Sequence, residues 1–221
     1  MKRKAKTHAW HQQHVNDFYV RQATEQGWRS RAAFKMMEID DRDRLLRPGS
    51  TVVDLGCAPG GWSQVAAERM KGQGRIIGVD LLEMTPLRGV TFIQGDFTDQ
   101  AILSELETAG IRADPRTVDL VISDMAPNIS GITLADQAKS YYLAELAFEF
   151  ARQYLKPEGA FLVKVFQGAG FEEFIKAMRA AFSSVAARKP KASRDRSSEV
   201  YLLGRGLKEA CLKIDPAAVL E

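Results

Sequence analysis

Short apolar runs alternate with longer amphipathic stretches along most of the chain. The apolar runs predict seven strands, at 51–55, 75–80, 90–94, 118–124, 160–166, 185–189 and 199–204. The amphipathic stretches predict helices at 31–46, 62–70, 100–109, 136–155 and 170–182. Such alternation is typical of an α/β fold, with a mostly parallel seven-stranded sheet and helices on both faces.

The same pattern predicts how the chain is divided. We expect a basic N-terminal arm at 1–30, one domain at 31–206 and a short C-terminal tail at 207–221. Ser30 is the predicted cap of the first domain helix, and Pro48 with Gly49 should stop that helix. The last two strands are separated by a loop without a helix, so we expect them to pair antiparallel.

Length and composition narrow the class of protein. The 221 residues, 45% of them hydrophobic, suffice for one well-buried α/β domain. No stretch approaches the ~18 apolar residues of a membrane span. The basic start MKRKAK is followed by polar residues instead of an apolar segment, which argues against a signal peptide. With only two cysteines, we expect a cytoplasmic protein without disulfides. We also expect a monomer, since no long exposed apolar helix is evident in the sequence.

Charge is unevenly distributed. The net charge is +3, but residues 1–35 carry eight basic and two acidic side chains. A second basic run occupies 188–196. Each run alone is typical of a solvated face, whereas two runs flanking one domain favour a phosphate-rich partner. The candidate contacts to such a partner are Arg31, Lys189, Lys191, Arg194 and Arg196.

A glycine-rich turn follows the first strand, in VVDLGCAPGGW at 52–62. The carboxyl ends of strands in open α/β sheets bind ligands, and glycine permits a close approach there. Gly56, Gly60, Gly61 and Trp62 are therefore candidate ligand contacts, although a purely structural tight turn is the alternative. The spacing departs from the G-x-G-x-x-G pattern, which argues against a nicotinamide oxidoreductase.

Two carboxylates follow the next two strands. Asp80 ends the second strand, where an acid can accept hydrogen bonds from ribose hydroxyls. Asp96 follows the third strand, where an acid can accept from an adenine amine. Either residue alone is as well explained as a helix cap. Together with the turn they indicate an adenosine-bearing ligand.

Four charged residues stand in or beside apolar runs, namely Lys35, Asp124, Lys164 and Glu199. A lysine inside a buried strand costs free energy unless it is paired. One interpretation is a structural salt bridge from Lys164 to Glu199 or Asp124. The other is a catalytic set. The three histidines lie in the arm without an acid or cysteine cluster, so no metal site is expected.

The strings SRAAFK, APGGWSQ, SDMAPNISG, KVFQG and SSEVY together resemble one enzyme family. They are similar to the heat-shock 2′-O-methyltransferases of large-subunit ribosomal RNA (methyltransferase E). These belong to the Rossmann-like class I enzymes that use S-adenosylmethionine. The similarity extends over about residues 14–205.

This resemblance implies roles for particular residues. The family's glycine turn, with its cofactor contacts, falls on Gly56, Gly60, Gly61 and Trp62. The acid that holds ribose falls on Asp80, and the one that holds adenine on Asp96. Lys35, Asp124, Lys164 and Glu199 match the family's catalytic tetrad, and Asp124 also borders the cofactor.

The implied reaction converts S-adenosylmethionine to S-adenosylhomocysteine without a metal. Its implied target is a uridine ribose in the A-loop of 23S ribosomal RNA, within the 50S particle. Transfer RNA as the substrate, or a non-catalytic ribosome-assembly factor, are the alternatives. A base N-methyltransferase is disfavoured, because Asp124 is followed by Met125, Ala126 and Pro127 instead of an Asn/Asp-Pro-Pro-aromatic turn.

Lys164 is the candidate base. An ordinary lysine is charged at neutral pH. Burial and the neighbouring Lys35 should lower its pKa, whereas Asp124 and Glu199 should raise it. We therefore expect the two acids to orient the lysines and to hold the hydroxyl, with alignment supplying part of the rate.

Overall fold

The computed structural model describes residues 18–127, 133–194 and 197–212. Seven strands form one sheet: β1 Thr51–Leu55, β2 Arg75–Asp80, β3 Thr91–Gln94, β4 Val118–Ser123, β5 Leu155–Phe166, β6 Phe182–Arg188 and β7 Glu199–Leu207. Seven helices accompany them in the described residues: α1 Phe18–Glu25, α2 Ala32–Asp43, α3 Gly61–Met70, α4 Gln100–Thr108, α5 Thr133–Tyr154, α6 Phe171–Ala181 and α7 Glu209–Leu212.

The strand order in the sheet is β3-β2-β1-β4-β5-β7-β6. The first five strands pair in parallel, and β7 runs antiparallel to both β5 and β6. The predicted mostly parallel seven-stranded sheet and its antiparallel last pair are confirmed. From β1, the next strands along the chain, β2 and β3, lie on one side, and β4 and β5 lie on the other. The connections leave β1 and β4 in opposite directions, so a crevice forms between the carboxyl ends of these two strands.

Helices cover both faces of the sheet. Successive strand residues point to opposite faces, so Val53 packs in one apolar cluster and Val52 in the other. The first cluster includes Leu106 of α4 and Phe148 of α5. The second includes Met36 of α2. This two-sided burial holds the strand ends, and hence the crevice, on a rigid base.

Helix α2 differs at both ends from the prediction. Ser30 as its cap is wrong, because Arg31 occupies that position and no side chain caps the helix. The helix ends at Asp43, since Arg44 adopts a left-handed conformation with φ of 51°. The carboxylate of Asp40 then accepts from the amides of Leu45 and Leu46, at 2.8 Å each. These two bonds take the place of helical hydrogen bonds, so residues 44–46, which periodicity predicted to be helical, lie outside the helix.

The described part of the N-terminal arm lies against the domain. The rings of Tyr19 in α1 and Phe34 in α2 are 5.5 Å apart, and Trp28 packs on the second apolar cluster. The domain boundaries at residues 30 and 206 stay predictions. Residues 1–17, with the three histidines, lie outside the described part of the chain. Among the residues described, no helix has the length and apolar character needed to cross a membrane.

Candidate active site

The glycine turn links the carboxyl end of β1 to α3. The amides of Gly56 and Cys57 both donate to the carbonyl of Val79 in β2, at 2.8 and 3.2 Å. Gly56 has φ of 72° and Gly60 has φ of 102°, a region that side chains other than glycine rarely adopt. Backbone conformation alone therefore requires glycine at these two positions.

Protein atoms fill the space that a side chain would need at this turn. A Cβ on Gly56 would lie 2.1 Å from Cγ of Met125, and one on Gly60 would lie 2.8 Å from Sδ of Met84. A Cβ on Gly61 would lie 2.3 Å from Oγ of Ser30. The glycines thus allow the loop after β4, the loop after β2 and the segment before α2 to pack directly against the turn.

Trp62 contributes packing as well as position. Its side chain is buried, its Nε1 donates to the carbonyl of Ala32 at 2.9 Å, and its ring lies 5.5 Å from that of Tyr201. The indole therefore fixes α3 against α2. Contact with a ligand by this residue stays a prediction.

Asp80 and Asp96 lie half-buried at the ends of β2 and β3. The carboxylate of Asp80 accepts from the amides of Ala58 and Leu82, at 2.8 Å each. Asp96 accepts from the amide and the hydroxyl of Thr98, at 2.9 and 2.7 Å. A carboxylate has about four acceptor sites, so each acid can accept further bonds from a ligand. We call the glycine turn with Asp80 and Asp96 the acidic edge.

Asp54 in β1 lies below the acidic edge and is fully buried. The hydroxyl of Ser63 donates to it at 2.7 Å. Burial, followed by the charges of Asp124 and Asp80, raises the pKa of Asp54 to about 7 despite that bond. Because β1 lies between β2 and β4 in the sheet, Asp54 lies between the strand that Asp80 ends and the strand that Asp124 follows.

Lys35, Asp124, Lys164 and Glu199 come together as two ion pairs, and we call them the tetrad. Nζ of Lys164 lies 3.1 Å from Oδ1 of Asp124 and also donates to the carbonyl of Asp124 at 2.5 Å. Nζ of Lys35 lies 2.7 Å from Oε1 of Glu199. The exposed fractions of these side chains range from 7% for Lys164 to 19% for Asp124. Both charges of each pair are thus largely withdrawn from water but remain reachable.

Both acids of the tetrad stay ionised. Burial would raise the pKa of Asp124, but Lys164, Lys35 and the Tyr201 hydroxyl outweigh it, and the pKa is lowered. Burial would also raise the pKa of Glu199, but the charge and hydrogen bond of Lys35 outweigh it, and this pKa is lowered too. Each lysine consequently faces an ionised carboxylate. The structure thus contains the salt bridge from Lys164 to Asp124 that was one interpretation of the sequence. This pairing is compatible with a catalytic role.

Tyr201 contacts two members of the tetrad and was not predicted from the sequence. Its buried hydroxyl donates to Oδ1 of Asp124 at 2.8 Å, and Nζ of Lys35 lies 5.6 Å from its ring centre. Tyr201 follows Glu199 by two residues in β7, so both lie on one face of the strand. That spacing in SSEVY was the signal that could have identified it.

The basic run at 188–196 packs beside the tetrad. Arg31 donates to the carbonyl of Ala192. Burial, then the nearby charge of Arg194, lowers the pKa of Arg31. Lys189 donates to the carbonyls of Ser197 and Glu199, so its amine holds the loop together.

The remaining members of the run differ in how they are held. Lys191 and Arg194 are exposed, and the amide of Lys191 donates to the Glu38 carboxylate. Arg188 forms two bonds to Asp43, at 2.6 and 2.7 Å, which are structural. Arg196 lies outside the described residues. RNA contact by Arg31, Lys189, Lys191, Arg194 and Arg196 stays a prediction.

The chain's other candidate chemistry is limited. Cys57 and Cys211 are both free, and burial raises the pKa of the Cys57 thiol far above its usual range. Within the residues that the structure describes, no group of three or more histidine, cysteine or acidic side chains is placed to hold a metal ion.

Comparisons with known proteins agree on one family. Residues 28–207 match the family model of the FtsJ-like methyltransferases. The chain is 60% identical to ribosomal RNA large subunit methyltransferase E of Methylobacillus flagellatus, over 92% of this chain and 97% of that protein. Identity to the protein of the same name from Nitrosospira multiformis is 59%, over 95% and 100% of the two chains.

A solved structure shows the same likeness. The crystal structure of a Plasmodium falciparum protein described as a ribosomal RNA methyltransferase superposes with a TM-score of 0.71 and 31% identity. It covers 81% of this chain, and 98% of the Plasmodium chain is matched. By its family model, its relatives and its fold, this chain belongs to the FtsJ-like methyltransferases.

Proposed function

We propose that this enzyme transfers a methyl group from S-adenosylmethionine to the 2′-oxygen of a uridine ribose in the A-loop of 23S ribosomal RNA, within the 50S particle. The observation that carries the proposal is the buried tetrad next to the acidic edge. The relatives named ribosomal RNA large subunit methyltransferase E, at about 60% identity over more than nine-tenths of the chain, support the RNA class.

The acidic edge fits S-adenosylmethionine. Asp80 and Asp96 present acceptors at the ends of β2 and β3, as ribose hydroxyls and an adenine amine require. Gly56 and Gly60 bring the backbone of the turn close to Met125 and Met84. The bound cofactor supplies an electrophilic methyl group on a sulfonium centre, next to the position that Asp124 borders.

The tetrad fits a ribose hydroxyl as the acceptor. Nζ of Lys164 is fixed by two oxygens of Asp124, so its remaining hydrogen-bonding direction points away from that residue. We assign Lys164 to hold the 2′-oxygen and to take its proton as the new oxygen–carbon bond forms and the carbon–sulfur bond breaks. Asp124 and Tyr201 orient Lys164, and Glu199 orients Lys35.

The proposal also covers location and assembly state. A ribosomal substrate places the enzyme in the cytoplasm. All four tetrad residues and the acidic edge come from one chain, so a monomer suffices for the reaction. No metal is needed, because Lys164 itself accepts the proton of the 2′-hydroxyl.

The test is transfer of tritium from labelled S-adenosylmethionine to intact 50S particles, free ribosomal RNA and transfer RNA, followed by mapping of the modified ribose. We expect one labelled 2′-oxygen, at a uridine of the A-loop, with the 50S particle as the best substrate. Label in transfer RNA would move the enzyme to a different 2′-O-methyltransferase group. Absence of label in all three RNAs, with RNA binding retained, would indicate a non-catalytic assembly factor.

A further inference from the structure

A single arginine joins the glycine turn to the loop after β2. Nη1 of Arg29 donates to the carbonyls of Pro59, at 3.2 Å, and Thr85, at 2.6 Å. Its Nη2 donates to the carbonyl of Pro86 at 2.8 Å. Pro59 belongs to the glycine turn after β1, and the other two carbonyls belong to the loop after β2. The planar guanidinium thus bridges two separate loops.

The backbone around Arg29 is itself held in place. Its amide donates to Oε1 of Gln64 in α3, at 2.9 Å, and Nε2 of Gln64 donates to the carbonyl of Gly27 at 2.9 Å. A Cβ on Gly60 would lie 2.9 Å from Nη1 of Arg29. The guanidinium therefore lies directly against the glycine turn, and the absence of a side chain at Gly60 lets it do so.

Asp80 joins the same two loops from the opposite side. Its carboxylate accepts from the amide of Ala58 in the glycine turn and from that of Leu82 in the loop after β2. The loop that bears Leu81 and Leu82, which are 67% and 68% exposed, has no helix or strand of its own. Two side chains, Asp80 and Arg29, thus fix how far this loop lies from the turn.

Arg29 is also close in sequence to the tetrad. Lys35, six residues later, pairs with Glu199, so the segment 29–35 contacts the acidic edge at one end and the tetrad at the other. We propose that Arg29 is a positioning residue for the cofactor, which sets the width of the acidic edge by holding the loop after β2 on the glycine turn. This inference rests on the proposed function.

Binding of S-adenosylhomocysteine to the full chain, without RNA, tests the inference by calorimetry. For Arg29→Ala we expect Kd to rise about tenfold, the loss that corresponds to one charge-assisted hydrogen bond. For Arg29→Lys we expect a smaller rise in Kd, since an ammonium keeps a charged donor but cannot span both loops. Arg47→Ala is the matched control, because Arg47 is exposed and bonds one carbonyl, that of Arg44.

Methyl transfer gives the second measurement. At saturating cofactor, kcat of Arg29→Ala should stay within about threefold of the parent, while KM for S-adenosylmethionine follows Kd. An unchanged Kd, or a loss confined to kcat, would overturn the inference. Unfolding of both variants at the assay temperature would overturn it too, because Arg29 would then be a stability residue. Failure of the unmodified chain to bind the cofactor would instead contradict the proposed function.

Discussion

The acidic edge and the tetrad are neighbours built in opposite ways. The acidic edge uses backbone amides, glycine conformations and half-buried acids that lie within residues 56–96. The tetrad assembles buried charges from α2, the end of β4, β5 and β7, up to 164 residues apart in the sequence, and each charge has a partner. The shape of the first region depends mainly on backbone conformation and on hydrogen bonds to backbone groups. The second depends on a balance of charges, so one deletion leaves another charge buried and unpaired.

Loss of Lys164 should separate the two regions most sharply. In Lys164→Ala we expect methyl transfer to fall by about 10³-fold or more, because the proton acceptor is gone. Cofactor Kd should stay within about twofold, since Asp80 and the glycine turn are untouched. Rates with labelled cofactor and calorimetric Kd measure the two effects.

The control for that variant lies in the same strand. Lys156→Ala removes a surface pair with Asp119, at 2.7 Å and one-third exposed, and should leave both quantities at the parent value. Transfer at the parent rate by Lys164→Ala would show that Lys164 is not the base.

Asp54 tests the electrostatic link between the regions. Its pKa is raised from 3.8 to about 7, so the folded state holds a proton that the unfolded state has lost across that interval. Stability should therefore decline as pH rises from about 4 to about 7. In Asp54→Asn this decline disappears, and the variant should exceed the parent by about 3 kcal/mol near pH 8 but not near pH 4.

Urea unfolding of parent and variant across this pH range measures the difference, and groups that titrate equally in both cancel. Asp41→Asn is the control, because the Asp41 side chain is 59% exposed. A stability difference that does not depend on pH would mean that Asp54 is ionised throughout.

Asp80 tests the acidic edge alone. Asp80→Asn should raise cofactor Kd by about ten- to a hundredfold, since it weakens two amide bonds as well as the ribose contact that we propose. The kcat at saturating cofactor should hardly change, because the tetrad keeps its partners. Asp99→Asn provides the control, as Asp99 precedes α4 without a side-chain capping bond. A fall in kcat with unchanged Kd would place Asp80 in the chemical step.

The basic run gives the smallest effect. Replacing exposed Lys191 and Arg194 by alanine should weaken RNA binding and flatten its dependence on salt by roughly one to two units of log–log slope. Adding Lys189→Ala should cost loop stability as well, because its amine holds two carbonyls. Arg47→Ala with Arg75→Ala, on the amino side of the sheet, is the control pair. An unchanged salt slope would make the run a solvated face.

Local pattern predicted most of the fold. The ends of β1 and β2 match the predicted ranges, because apolar runs bounded by glycine and charge leave little choice. Helix α2 ended early, since Asp40 offered the amides of Leu45 and Leu46 an alternative to helical bonds. Strand β5 begins at Leu155, five residues before the prediction, because Leu155 pairs with Val118 of β4. An irregularity at 156–159, where the sequence has no strand pattern, separates this pair from that of Ala160 with Leu120.

Prediction of the site followed the same division. The glycine turn, Asp80 and Asp96 could be proposed from spacing alone. The tetrad needed the family resemblance, because the pairing of Lys35 with Glu199 joins elements that are remote in sequence. The roles of Tyr201 and Arg29 were not predicted. Tyr201 bonds a carboxylate that is remote in sequence, and Arg29 bonds backbone carbonyls, and no sequence motif indicates either kind of partner.

The antiparallel pairing of β5 with β7 sets the alignment of the reactive groups. Lys164 lies opposite Tyr201, and Phe166 lies opposite Glu199. Because side chains alternate along a strand, a shift of one residue in this pairing would turn the tyrosine and the glutamate to the other face. The same shift would move Val200 and Leu202 out of the first apolar cluster and Leu203 out of the second. The register of this one strand pair therefore sets both the packing of β7 and the geometry of the reactive groups.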